Sequence, residues 1–115
     1  MFRFESLDIW KLAIQYGKDI YSLVEVLPKN VQYDLGSQLR SAALSISNNI
    51  AEGSGSSSQQ EFKSFLNYSI RSLYETVSML FIARDKGFLK VDQFQKFYSD
   101  AELLVKKIRS FRNQL

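Results

Sequence analysis

Apolar residues recur along this chain at three- and four-residue steps, the period of a helical face, in four separate runs. Leu35, Leu39, Ala42, Ala43, Ile46 and Ile50 form the clearest. Phe62, Leu66, Ser69, Leu73, Val77 and Leu80 form a later one, and Phe94, Phe97, Tyr98, Ala101, Val105 and Ile108 the last. Turn signals separate the runs. Pro28, the only proline, cannot continue a helix and ends the first. Gly53, Ser54 and Gly55 read as the stop of the second, with glycine taking a left-handed conformation. Ser58 with Glu61 gives a capping box for the third helix, Gly87 closes it, and Asp92 with Gln95 gives a similar cap for the fourth. Helices are therefore expected over about 6–27, 32–52, 58–86 and 92–113. No run alternates with the period of a strand.

Connections of three to seven residues force consecutive helices to be antiparallel. The expected fold is all-α: an antiparallel up-down-up-down four-helix bundle, one domain over 1–115. Helix one carries more apolar surface than a lone bundle needs. Leu7, Trp10, Ile14, Gly17, Tyr21 and Val24 make one stripe, assigned to the core. Ile9, Leu12, Tyr16, Ile20, Leu23 and Leu27 make a second, and the combined arc covers ~200° at about 100° per residue. Leu44 lies opposite the core face of helix two. The second stripe and Leu44 are expected to form an interface between copies of the chain, in a dimer or a larger assembly.

Gln38, Ser45, Asn49 and Glu52 fall at steps of seven, four and three beside the apolar face of helix two. Amides, a hydroxyl and a carboxylate at the edge of a core must find hydrogen-bond partners. Two readings fit: a structural network fixing helix register, or contacts to a polar ligand or nucleic acid. Arg71 and Glu75, one turn apart on helix three, join that network as an expected ion pair, within the helix or between subunits.

These residues also carry a resemblance. Gln38-Leu39-Arg40, Ser45-Ile46, Asn49-Ile50-Ala51-Glu52-Gly53 and Glu61-Phe62 resemble the signature of the 23S rRNA intervening-sequence protein family. The opening Phe4, Leu7 and Trp10 and the pair Ser72 and Glu75 extend it over nearly the whole chain. The resemblance implies an antiparallel four-helix subunit that assembles into a ring, usually a pentamer. It also implies a relation to the accessory variability determinant of diversity-generating retroelements, a basic barrel that binds nucleic acid and a reverse transcriptase.

Composition narrows the chemistry. A 45% hydrophobic content over 115 residues is enough for a core. With no cysteine and no histidine, disulfides, thiolate chemistry, histidine zinc ligands and Ser-His pairs are excluded within one chain. Glu52 and Glu61 flank one turn, but a di-metal bundle site normally adds histidines, so no catalytic, metal or cofactor site is expected. No signal peptide and no apolar run of ~20 residues is visible, and a cytoplasmic location away from membranes is expected.

Net charge is only +3, yet Lys106, Lys107, Arg109 and Arg112 follow the last acidic residue, Glu102. Such cations complement the dipole of a helix C-terminus or contact phosphates. In a ring they repeat, and with Arg40 they form the expected nucleic-acid surface. The sequence therefore predicts a non-enzymatic, homo-oligomeric scaffold with weak, sequence-tolerant binding of RNA or DNA. The alternative is a purely structural ring that docks a protein partner, such as a reverse transcriptase.

Overall fold

Each apolar run folds as a helix in the computed structural model, which describes Met1–Leu115. The long helices are α1 (Asp8–Glu25), α2 (Ser37–Ser54), α3 (Gln59–Asp85) and α4 (Val91–Asn113), and there is no strand. A 3₁₀ turn at Arg3–Ser6 precedes α1, and helical turns at Lys29–Val31 and Gln32–Gly36 lead into α2. Facing residues show that each neighbouring pair runs in opposite directions. Gly17 meets Ala43 across α1 and α2, and Gly36, just before α2, meets Val24 near the end of α1. Gly53 touches Phe62 and Phe65, and Ser72 bonds Ser45, across α2 and α3. The rings of Phe62 and Phe111 and of Phe81 and Phe94 pair across α3 and α4. The Tyr16 and Phe97 rings close the circuit between α4 and α1. The chain is an up-down-up-down four-helix bundle, with α1 opposite α3 and α2 opposite α4.

One cluster of 24 buried residues fills the centre. Ile20, Leu39, Ile46, Ile50, Leu66, Leu73, Leu80 and Ile108 are all fully buried. Removing each such side chain from water stabilises by about 1.5–3 kcal/mol, the main favourable term against chain entropy.

The two stripes of α1 are not divided between core and interface. Ile9, Tyr16, Ile20, Leu23 and Leu27 are buried within the subunit, together with Ala13, Gly17 and Val24. Leu7, Trp10 and Ile14 pack partly buried at the other edge, while Tyr21 is exposed. The physical reason is that α1 lies against both α2 and α4, so it buries a wide arc centred on Ala13, a residue of neither stripe. Of the expected interface set only Leu12 and Leu44 remain exposed.

Two helix ends differ from expectation in an instructive way. Gly53 and Gly55 do not use the left-handed region, which only Gly87 adopts at φ 79°. Helix α2 runs through Gly53 to Ser54, and Gly53 serves close approach instead. A Cβ built there would lie 2.6 Å from Phe65 Cβ and 2.8 Å from Phe62 Cδ1. Gly87 makes the left-handed stop: Phe88 N–H donates to Ala83 O (2.9 Å) and Gly87 N–H to Arg84 O (3.0 Å). At the start of α4 the cap is not Asp92 with Gln95. The Gln93 amide oxygen accepts from Lys90 N–H at 3.0 Å, because the helix starts one residue before Asp92. Ser58 Oγ does accept from Glu61 N–H at 3.1 Å, without a return bond from the carboxylate.

The link between α1 and α2 is π-helical over Gln32–Gly36. Gln32 Nε2 donates to Leu27 O (2.7 Å) and Glu25 O (3.3 Å), satisfying carbonyls that the end of α1 leaves free.

Candidate nucleic-acid interface

Helix α4 turns Tyr98, Glu102, Val105, Arg109 and Arg112 toward α3, since residues three and four apart share a face. On α3, Tyr74 and Asn67 reach α4, with Leu73 and Val77 deeper. Between them lies a groove of about 400 Å³. Leu73, Val77, Ala101 and Val105 give its apolar floor, and Tyr74, Tyr98, Glu102, Lys106 and Arg109 its rim. Ala101 contributes only a methyl group at this seam, which leaves it open.

The cations here are held by neutral partners. Arg109 Nη2 donates to the Tyr74 hydroxyl at 3.1 Å, and Arg112 Nη1 donates to Asn67 Oδ1 at 2.7 Å. Arg71 does not pair with Glu75 within the subunit. Its guanidinium carbon sits 5.7 Å from the centre of the Tyr68 ring, a contact that keeps its charge unneutralised. The chain has two ion pairs, Arg84 with Asp85 and Lys96 with Asp100, both away from this groove. Lys106, Arg109 and Arg112 thus stand at the groove without an ion pair, and Arg71 is exposed on the outer surface of α3. Glu75 and Glu102 are exposed nearby and pair with none of them.

Two expected members do not join. Lys107 lies on the α1 side of α4, on the face of Leu103 and Asp100, because the step from Arg109 turns it away. Arg40 is near the start of α2, diagonal to α4 and at the other end of the bundle, where it donates to Ser37 Oγ at 3.3 Å.

The polar row of α2 resolves into a smaller network. Asn49 Nδ2 donates to Ser45 O (2.7 Å) and Ser45 Oγ (2.9 Å), and Ser72 Oγ donates to Ser45 Oγ at 2.9 Å. Ser69 Oγ, fully buried, donates to Ile46 O at 2.7 Å. Gln38, Glu52, Arg71 and Glu75 are exposed and take no part, since they lie beyond the α2–α3 seam that the hydroxyls cross. Ser69 and Ser72 are the partners across the seam; in the sequence Ser69 falls on the apolar face and Ser72 in the family signature, with neither paired to α2, and their three-residue spacing on α3 is the signal. Geometry here is that of a register lock, each bond contributing about 0.5–1.5 kcal/mol net.

At the α1–α4 seam, Leu12 and Leu103 are 39% and 49% exposed and border a smaller cleft with Gln15, Asp19, Lys96 and Asp100. Leu103 extends the exposed apolar surface beyond the residues that the sequence offered. Leu44 lies beyond the opposite flank of α1, next to Ala43, whose carbonyl faces Gly17.

Beneath the cleft, Tyr16 donates its hydroxyl to Phe97 O at 3.2 Å. Burial pushes this hydroxyl well above the usual tyrosine range, and the charges of Asp100 and Asp19 add to the shift. Lys96 is also raised, chiefly by its hydrogen bond to Asp100. A group whose folded pKa is raised stabilises fully below the unfolded pKa and loses that contribution as pH climbs through the folded one. Stability is therefore expected to fall once pH exceeds ~10, where an unfolded tyrosine ionises. Chemical denaturation across that range should show Tyr16→Phe less stable at neutral pH by about 0.5–1.5 kcal/mol, with a shallower alkaline decline.

No three acidic side chains converge to form a group that would hold a metal ion. No helix is long and apolar enough to cross a membrane.

The family model for the 23S rRNA-intervening sequence protein matches residues 5–110. The chain belongs to that family. The match takes in all of the α1, α2 and α3 helices and α4 through Ser110, so it includes the α3–α4 groove and both flanks of α1. No curated protein matches the chain.

Proposed function

We propose that this member of the 23S rRNA-intervening sequence protein family is a self-assembling, non-enzymatic helical scaffold that holds RNA or DNA by charge. The observation that carries the reading is the strip of Lys106, Arg109 and Arg112 along α4, with Arg71 exposed on α3. Each is bound to a neutral partner or to none, so its charge remains available to phosphates. Contacts of this kind bind backbone without reading sequence. Assembly multiplies the strip, and the apolar Leu12 and Leu103 on one flank of α1, with Leu44 beyond the other, supply two different patches. A contact between unlike patches of successive copies generates a ring when the rotation closes.

Lys106→Glu with Arg109→Glu should weaken binding of unrelated RNA and duplex sequences alike, by tenfold or more. It should make the dependence of log affinity on log salt shallower by about two, one per lost phosphate contact. Lys107→Glu, on the other side of α4, should matter less. Equal losses from both variants would contradict the strip as the contact surface. An assembled protein that leaves nucleic acid free even at low salt would favour the reading in which the ring docks a protein partner.

A further inference from the structure

The groove beside the cationic strip has features that a purely electrostatic surface does not need. Tyr74 stands 59% exposed at its rim, while the floor beneath is apolar. An exposed tyrosine on a helix is commonplace, but this one stands against a cation of the neighbouring helix. Its hydroxyl accepts from Arg109, whose guanidinium carbon lies 6.0 Å from the ring centre. Arg71 precedes it by one turn on α3, and Lys106 faces it across the groove.

Duplex nucleic acid presents phosphates and grooves, and has no exposed base face to lay on such a ring. A single strand does: its bases stack on aromatic side chains while its backbone tracks cations. From this juxtaposition we infer that the α3–α4 groove is a single-strand site. One unpaired base stacks on Tyr74 above Leu73, Val77 and Val105, and the flanking phosphates lie against Lys106, Arg109 and Arg112. Glu102 on the same rim sets a limit on where a phosphate fits and places the strand toward the C-terminal end of α4. Charge complementarity and an exposed aromatic face bordered by cations favour this occupant. The inference rests on the nucleic-acid reading above and adds the strandedness of the ligand and the residue that selects it.

The test uses the full chain, a fluorescent twelve-nucleotide oligo(dT) and oligo(U), and a duplex of the same length, by anisotropy at one fixed salt concentration. Stacking on one aromatic residue is worth roughly a tenfold change in affinity, so Tyr74→Ala should lose about tenfold on the single strands and little on the duplex. Tyr74→Phe keeps the ring and should retain most single-strand affinity. Because Tyr74 is largely solvent-exposed, circular dichroism should show both variants folded. Equal effects of Tyr74→Ala on single strand and duplex, or none on either, overturn the single-strand site while leaving charge-based binding standing. If the wild-type protein binds neither, both readings fail. A change in assembly mass on Tyr74→Ala, with no selective loss on single strands, would make the groove a contact between copies and overturn the inference.

Discussion

Gly53→Leu is expected to destabilise the bundle by about 3 kcal/mol, the upper end of what overpacking costs. At an ordinary helical position, replacing glycine with a residue that has a Cβ stabilises by up to ~1 kcal/mol. Here the sign reverses because Phe65 Cβ would lie 2.6 Å from the new carbon. That atom is fixed to the α3 backbone and cannot swing aside as a side-chain tip does. Only a shift of α3 against α2 relieves the clash, and such a shift strains the Ser72–Ser45 and Ser69–Ile46 hydrogen bonds along the same seam. Gly53→Ala should go the same way by a smaller amount. Gly55→Ala, two residues later, is the control: its Cβ would meet only Glu52 O, at 3.5 Å, with φ at −90°. Thermal melts of the three variants should rank Gly55→Ala, then Gly53→Ala, then Gly53→Leu, from most to least stable. A Gly53→Ala protein as stable as the unaltered chain would mean that α2 and α3 are free to part at this turn.

The second large effect concerns assembly. Leu12→Asp with Leu103→Asp places two carboxylates on one flank of α1, where the subunit leaves both leucines partly exposed. In a lone subunit these changes face water and cost little. In an interface, each carboxylate loses its hydration without a partner, a penalty of several kcal/mol in practice. Light scattering should therefore give a smaller mass for the double variant than for the unaltered chain, with helicity retained. An identical mass for both would remove this flank from the assembly contact.

The sequence carried the bundle well because its signals are local and repeated. Leu39, Ile46 and Ile50, or Leu66, Leu73 and Leu80, fall at helical spacing with no competing period, and Pro28 and Gly87 mark breaks that backbone sterics enforce. What it carried poorly depends on neighbours. The apolar arc of α1 reads as two faces along a single helix. Whether Ile9 or Tyr16 points to solvent is decided by how far α2 and α4 wrap around it, and periodicity holds no information on that. Gly53 was legible as special but for the wrong reason, since a glycine that admits a turn and a glycine that admits a neighbour are the same letter. Lys106 and Lys107 are adjacent in the chain yet separated in space by the ~100° step of the helix, so a run of cations overstated the patch. Tyr74 and Arg109, far apart in sequence, meet only once α3 and α4 pack.

Fluorescence anisotropy of the unaltered protein with a structured RNA, titrated at salt concentrations from about 50 to about 200 mM, tests the central claim most directly. Engagement of Arg71, Lys106, Arg109 and Arg112 with phosphates predicts a log–log slope of about −3 to −4. That slope means a loss of roughly a hundredfold in affinity over this range. Affinity that does not change with salt, or no binding at the lowest concentration, would contradict a surface that holds nucleic acid by charge.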